Sequence, residues 1–556
     1  MGIPSYFSHI IQTHKKILND YAYIIRNDIQ FNRLYMDCNS ILYDVFHNTD
    51  QSCSIDVLYK TIIQNTIKKI EIYIKQIKPS DCIYIAFDGV APMAKMQQQR
   101  TRRYKSWFES SICKSINQPT NTTTTQTNLE KTTCIFTPGT KFMQQLSVSV
   151  QEHFNGNASN YNVKNIIVAT PDYPGEGEHK LYAHLRENPC LENETSIIYG
   201  LDADLLMLSL LHLEYSKSMY VFREAPQFKM LKLSDGHSPD EPLFLDIAKL
   251  GECVSNTMVH NTSGMFNMNR LKDYVFICFF LGNDFLPHFP SMNIRTHGID
   301  ALLDVYRNEI GSEMDQYLLN GKTNAIQWKI LSRFVRGLAK CETIWLRQEY
   351  SVRDKWDRRY PETEPKKTVK EKMDLFSNTP VLYRAVEKTI DVNKKKWQQR
   401  YYRTLFPPKV SILGVCQSYL EGLQWVTQYY CTGKVDWDWY YPYHYPPLLE
   451  DLAPKIPQYE TEFLRDDINT KPVHPYTQLC YVLPPVYHFL LPESIQKRLS
   501  TKYSQYYVGP YNNDHLPQLK FEWAYCRYFW ESHVYLPNIP IKVIQEWDIH
   551  SYEIDK

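Results

Sequence analysis

Short apolar runs recur along the first part of the chain, and each closes on an acid. "RLYMDCNS" ends its run at Asp37, "CIYIAFDG" at Asp88, and "SIIYGLDADLLML" at Asp202 and Asp204. A fourth run, "NIIVATPDYPGEGEHK", leads into a glycine turn that carries Glu176 and Glu178. Runs this short, rich in Ile, Val and Tyr, predict strands. Helical periodicity over 54–77 and 140–154 predicts helices between them. Strands alternating with helices give an α/β core with a mostly parallel sheet. In such sheets, sites form beyond the carboxyl ends of the strands, where these acids stand.

The pattern changes further along. Residues 113–134, "CKSINQPTNTTTTQTNLEKTTC", are of low complexity and predict a flexible surface loop. Residues 351–376 are charged and contain Pro361 and Pro365, which predicts a connector or an irregular excursion. From Lys396 the chain turns dense in aromatics and proline, as in "KKWQQRYYRTLF", "YLEGLQWVTQYY" and "WDWYYPYHYPPLLEDL". No internal repeat stands out.

Composition narrows the picture. The 556 residues can bury a large core in more than one lobe. With 62 Lys and Arg against 61 Asp and Glu, the net charge is +1, so any basic surface is local. The 13 cysteines show no CxxC pair, which argues against a zinc ribbon and for free thiols in a reducing compartment. No run is long and apolar enough to suggest a bilayer span or a signal peptide. Gly2 follows Met1, but Tyr6 stands where a myristoylation signal needs Ser or Thr. Most of the 42 tyrosines are expected in the core and at interfaces.

Seven carboxylates form the candidate chemistry: Asp37, Asp88, Glu176, Glu178, Asp202, Asp204 and Asp284, the last in "FFLGNDFLPHFP". Gathered near strand ends they would repel one another. Hard divalent cations are the natural counter-charge, with Mg²⁺ or Mn²⁺ favoured over zinc. Two such ions, roughly 3.5–4 Å apart, could serve phosphodiester hydrolysis. Residues two apart in a turn can reach one centre, and Gly175 and Gly177 permit such a path before a helix that begins near His179. Taken singly, each acid is more often a helix cap, Asp37 before Asn39 and Ser40 in particular. The recurrence of the placement is what points to metal. His179, His288 and His444 read as structural.

After Asp88, Pro92 can open a helix. On that helix Lys95, Gln99, Arg102 and Arg103 fall at i, i+4, i+7 and i+8, on one face. Such a face is commonly just solvated. Beside a carboxylate cluster, it could instead hold a phosphate.

Together with "MGIPSYF", "AFDGVAPMAKMQQQRTRRY", "TPGTKFM", "PGEGEHK", "YGLDADLLML" and the aromatic motifs downstream, these residues resemble the Xrn-type 5′→3′ exoribonucleases over most of the chain. The resemblance implies a nuclease core related to flap endonucleases and PIN domains over 1–310, a helical, charged connector over 311–395, and a second, aromatic-rich region over 396–556 packed on the core. It implies that the seven acids bind two Mg²⁺ or Mn²⁺ ions. Lys95, Gln99, Arg102 and Arg103 would hold the 5′-monophosphate of single-stranded RNA, and the product would be a nucleoside 5′-monophosphate. The family stacks the first bases between a histidine and a distant tryptophan. Tyr43 stands at the histidine's position, and the tryptophan is Trp439 or Trp437, with Trp439 preferred. The rival readings are a DNA flap endonuclease of the same superfamily and a catalytically inactive RNA-binding protein. A cytoplasmic monomer is expected, with a decapping partner or adaptor as company, although Lys394–Lys396 is a short basic run. Most of the accessory β-rich domains of long family members are expected to be missing.

Overall fold

The computed structural model describes the chain except for residues 1, 2, 4, 118–130, 225–241, 261–265, 314, 359–367, 465–469, 510–517 and 555–556. Seven strands form one sheet: β1 (Leu18–Asn19), β2 (Arg33–Asp37), β3 (Cys82–Ala86), β4 (Asn165–Ala169), β5 (Thr195–Tyr199), β6 (Ser218–Glu224) and β7 (Pro242–Asp246). Their spatial order is β1-β7-β6-β5-β2-β3-β4. The four pairings among β6, β5, β2, β3 and β4 are parallel, and β7 runs antiparallel to both β6 and β1. The mostly parallel sheet expected from the alternation is therefore present, with an antiparallel edge.

The two-residue period of the strands explains the layers. Leu34 and Met36 of β2 and Ile197 of β5 face one side, where they pack under the helices Asn39–Asn48, Ile55–Ile77 and Lys141–Phe154. Tyr35 and Ile198 face the other, under Gly177–Glu187, Asp204–Leu211 and Met268–Cys278. That second core does not stop at the sheet's own helices. It continues without a break into Trp328–Asp357 and Ile412–Thr432, which bury Leu331, Phe334, Tyr419, Leu423, Trp425 and Tyr429. The helix-rich, aromatic half is thus packed on the sheet half through a common interior.

Two local expectations change. Helix Met93–Asn117 runs into the low-complexity stretch, and Thr133–Phe136 forms a 3-10 turn beyond it, so only 118–130 of that stretch lie outside the described residues. The charged stretch after 351 begins inside the 30-residue helix Trp328–Asp357 and resumes as helix at Val369–Ser377. Pro361 and Pro365 lie outside the described residues. Downstream, β8 (Lys520–Glu522) pairs antiparallel with β9 (His533–Tyr535), and the helix Ile541–Ile554 follows.

Candidate active site

From β2 the chain moves outward to β3 and β4, and from β5 it moves the other way to β6. The gap between β2 and β5 is therefore the switch point of the sheet, where crossover connections leave a crevice at the carboxyl ends. Asp37 ends β2, Asp88 follows β3, Glu176 and Glu178 follow β4, and Asp202 and Asp204 follow β5. Asp284 arrives from the loop after the helix Met268–Cys278, in a turn where the Asn283 side chain accepts from the Phe285 and Leu286 amides at 2.9 and 2.8 Å.

A helix opens at Gly177, two residues before the sequence suggested, with Glu176 at its N-cap and Glu178 in its first turn. The two glycines do different work. Gly175 has φ +99°, a turn that favours glycine. Gly177 has ordinary φ, but a Cβ there would sit 2.8 Å from Asp37 Oδ1 and 3.4 Å from Asp88 Oδ1. Its amide instead donates to Asp88 Oδ1 at 2.7 Å. Glycine lets the positive end of this helix touch two acids of neighbouring strands.

The electrostatics are those of an under-compensated cluster. Burial, then Asp88 and Asp202, push the Asp37 carboxyl well above its usual range. Burial, with Asp204 and Glu176 adding to it, does the same to Glu178. Burial carries Asp204 up to about 7, helped by Asp284 and Asp202. Asp284 is the opposite case: burial works against its charge, yet Lys95 at 2.9 Å, Arg102 and other positive charge nearby together hold the carboxyl well below the usual range. Lys95 also pairs with Glu176. Burial alone would discharge this lysine, but Asp284, Glu176 and Glu178 keep it protonated.

These residues fit a hard divalent cation. Asp37 Oδ1 and Asp204 Oδ1 are buried with no hydrogen-bond partner, a costly state that a cation relieves. Glu176, Glu178 and His179 bring one potential ligand atom each within 4.8 Å of the others. His179 is buried, and burial, then Lys95, lower its pKa well below 6.5, so the ring is neutral. Its Nδ1 has no hydrogen-bond partner, and the ring stacks on Tyr429 at 3.7 Å.

A cavity of ≈ 560 Å³ opens over this cluster. Asp37, Asp88, Glu176, Glu178 and Asp202 line it together with Lys95, Gln99, Arg102, Arg103 and Tyr43. Arg103 Nε and Nη1 are buried without partners, so this guanidinium has unspent donors beside the cavity.

Residues 1–225 match the XRN 5′-3′ exonuclease N-terminus, and residues 265–389 and 362–544 match the Xrn1 helical domain. The chain belongs to the XRN 5′-3′ exonuclease family. It is 24% identical to 5′-3′ exoribonuclease 2 of Arabidopsis thaliana, over 98% of this chain and 67% of that protein. It is 27% identical to 5′-3′ exoribonuclease 1 of Homo sapiens, over 98% of this chain and 34% of that protein. For 5′-3′ exoribonuclease 1 of Saccharomyces cerevisiae the figures are 27%, 89% and 40%. The chain thus spans about two-thirds of the plant relative and about a third of the human one.

Within this XRN chain, Tyr43 is among the residues that line the cavity, and Trp437 and Trp439 are not. Tyr43 is half-buried, set edge-on to Phe136 at 5.3 Å, and lines the cavity. Trp439 is 7% exposed and stacks on Trp425 at 5.0 Å. Trp437 is half-buried, and its carbonyl accepts from the Met93 amide that opens the basic helix, at 2.9 Å.

Several supporting residues escaped the sequence reading. Asn39 exchanges two hydrogen bonds with Asp88: its carbonyl accepts the Asp88 amide at 3.1 Å, and its amide donates to the carboxylate. Tyr429, from helix Ile412–Thr432, donates to Glu176 Oε1 at 2.7 Å. Lys180 donates to the Phe87 and Thr170 carbonyls at 2.7 and 3.1 Å, tying together the segments that carry Asp88 and the glutamates. A polar residue in a helix looks alike in sequence whether or not it meets a carboxylate hundreds of residues away. Only Asn39, two positions after Asp37, carried a local signal.

Proposed function

We propose that the protein is a divalent-metal-dependent 5′→3′ exoribonuclease that hydrolyses single-stranded RNA bearing a 5′-monophosphate, releasing nucleoside 5′-monophosphates one at a time. One observation carries this reading: five of the seven acids and all four residues of the basic helix face line the same cavity. The carboxylates Asp37, Asp88, Glu176, Glu178, Asp202, Asp204 and Asp284 would hold two Mg²⁺ or Mn²⁺ ions. When bound, such ions acidify water and stabilise charge on a phosphodiester. Gln99, Arg102 and Arg103, with Lys95 between them and the acids, would take the terminal phosphate and so place the first internucleotide bond over the cluster. A pocket of this size set against a fixed reaction centre counts from the 5′ end, which makes an exonuclease. Tyr43 would give the leading bases a ring to stack on. Trp439, stacked on Trp425, would be the second ring of that stack.

None of the thirteen cysteines is in a disulfide, in keeping with action in a reducing, cytoplasmic setting. No helix among the described residues is long and apolar enough to cross a membrane. The expected substrate partner is RNA, acted on by a monomer, with a decapping partner or adaptor supplying ends.

The test uses one 3′-labelled RNA with a 5′-monophosphate, a 5′-hydroxyl or a cap, each with Mg²⁺ and with EDTA. Loss of the monophosphate form alone, from its 5′ end and with Mg²⁺ alone, is the expected result. Equal cleavage of all three overturns the phosphate pocket. Cleavage of branched DNA in preference to RNA returns the chain to flap-endonuclease chemistry.

A further inference from the structure

The basic helix carries three successive glutamines, Gln97, Gln98 and Gln99, and an amide side chain is ambiguous toward an anion. Its NH₂ attracts a phosphate, and its carbonyl repels one. Which end of Gln99 faces the cavity therefore decides whether that residue helps or opposes binding. The orientation follows from a neighbour. Gln478, fully buried in the helix Pro475–Val482, lies behind the basic helix. Its Oε1 accepts from the backbone amide of Ala91 at 2.9 Å. A backbone N–H can only donate, so this contact fixes the carbonyl of Gln478 toward Ala91. The NH₂ of Gln478 must then point the other way, and it donates to Gln99 Oε1 at 3.3 Å. With its carbonyl engaged, Gln99 has its own NH₂ left for the cavity that it lines.

We propose that Gln478 is a positioning residue that sets the specificity of the cavity for a 5′-phosphate, by holding the Gln99 amide with its donor end toward the anion. Direction is read from the Ala91 amide and relayed through two side chains. The weight of the relay is increased by Lys95, whose ammonium is shared with Glu176 and Asp284. Arg102, Arg103 and the Gln99 NH₂ are then the donors most available to a terminal phosphate. The anchor is itself held from behind, since Asp548 of the helix Ile541–Ile554 accepts from the His474 amide at 2.6 Å and the Thr477 hydroxyl at 3.1 Å. The far end of the described chain thus bears on which RNA end is admitted.

The inference rests on the phosphate-pocket reading, and the experiment separates the two. The full chain is held in EDTA, where no turnover occurs. Binding of a 3′-fluorescent octanucleotide RNA with a 5′-monophosphate or a 5′-hydroxyl is read by anisotropy. Gln478→Glu keeps the acceptor for Ala91 but replaces the donor to Gln99 with an acceptor, so Gln99 turns its carbonyl to the cavity. The expected result is a loss of roughly tenfold or more in affinity for the phosphorylated RNA, with the hydroxyl form nearly unchanged. On a Gln99→Leu background the same change adds nothing further, because the two residues act as one. Gln478→Met, which places no charge in the interior, loses several-fold in the same direction and stands in if the glutamate variant does not fold. A wild-type preference that both variants keep, or losses that add in the double variant, overturns the relay and leaves the pocket standing. A wild type that binds both RNAs equally overturns the pocket and the relay together.

Discussion

Asp204 shows how a single buried carboxyl can cost the folded chain stability. Its carboxyl is 3% exposed, and burial raises its pKa to about 7. In the unfolded chain it titrates near 4. A carboxyl raised on folding stabilises the protein below its unfolded pKa, and that contribution is lost as pH climbs through its folded one. Every pH unit that separates the two values is worth about 1.4 kcal/mol, so the metal-free protein should melt lower at pH 8 than at pH 5. Asp204→Asn should flatten that dependence and raise the metal-free melting temperature at pH 8. Mg²⁺ should raise the melting temperature of the wild type at pH 8 and do much less for the variant. Thermal melts across pH, with and without Mg²⁺, check all three outcomes. A wild type that gains stability from pH 5 to pH 8 without metal would contradict the burial argument.

At the scale of elements, the approach of one helix to two strands is what makes a cluster out of scattered acids. The first turn of Gly177–Glu187 lies against Asp37 and Asp88, and the missing side chain of Gly177 is what allows it. Gly177→Ala inserts a methyl 2.8 Å from Asp37 Oδ1, where helix or carboxylate must move. Alanine favours the helix, so the fold should lose little. Activity should fall by a hundredfold or more, and Mg²⁺ affinity measured by calorimetry should weaken in parallel; an alanine variant with wild-type affinity would refute the contact. The elements themselves were legible. Strands β2 to β5 were marked by apolar runs closing on acids, and helices Ile55–Ile77 and Lys141–Phe154 by periodicity. The antiparallel edge was not, because β1 spans two residues and an apolar run such as Pro242–Asp246 does not show which way its strand will run against its neighbours. The role of Gly177 was misread for a related reason. Sequence shows a glycine but not whether it serves a dihedral angle or the space a neighbour occupies.

For the whole molecule, the charged stretch that read as a connector is clasped into the interior by a buried ion cluster. Glu387 is fully buried between Arg353 and Arg384, with contacts of 2.6 Å to each. It also accepts from the Tyr525 amide at 2.9 Å, and the Tyr350 hydroxyl, which donates to the Glu387 carbonyl at 2.9 Å, meets the Tyr525 hydroxyl at 3.2 Å. One carboxylate thus joins the long helix Trp328–Asp357, the short helix Ala385–Ile390 and the segment before β9. That segment also carries the Trp530 and Ser532 carbonyls that accept from Lys105 of the basic helix, at 2.6 and 2.9 Å. Glu387→Ala takes the carboxylate from the buried Arg353 and leaves Arg384 with Asp354 alone, at a cost of about 3–5 kcal/mol. Glu387→Gln keeps the shape but loses the charge, so it should still be clearly destabilised. Urea unfolding should show the midpoint falling for both variants. The remaining folded fraction, assayed well below its melting temperature, should keep wild-type Mg²⁺ affinity, because the clasp touches none of the seven acids. If Glu387→Ala melted like the wild type, the cluster would be a passive ion pair, and the grip of the second half on the basic helix would rest on contacts elsewhere, such as those of Arg100 with the Tyr506 and Pro537 carbonyls.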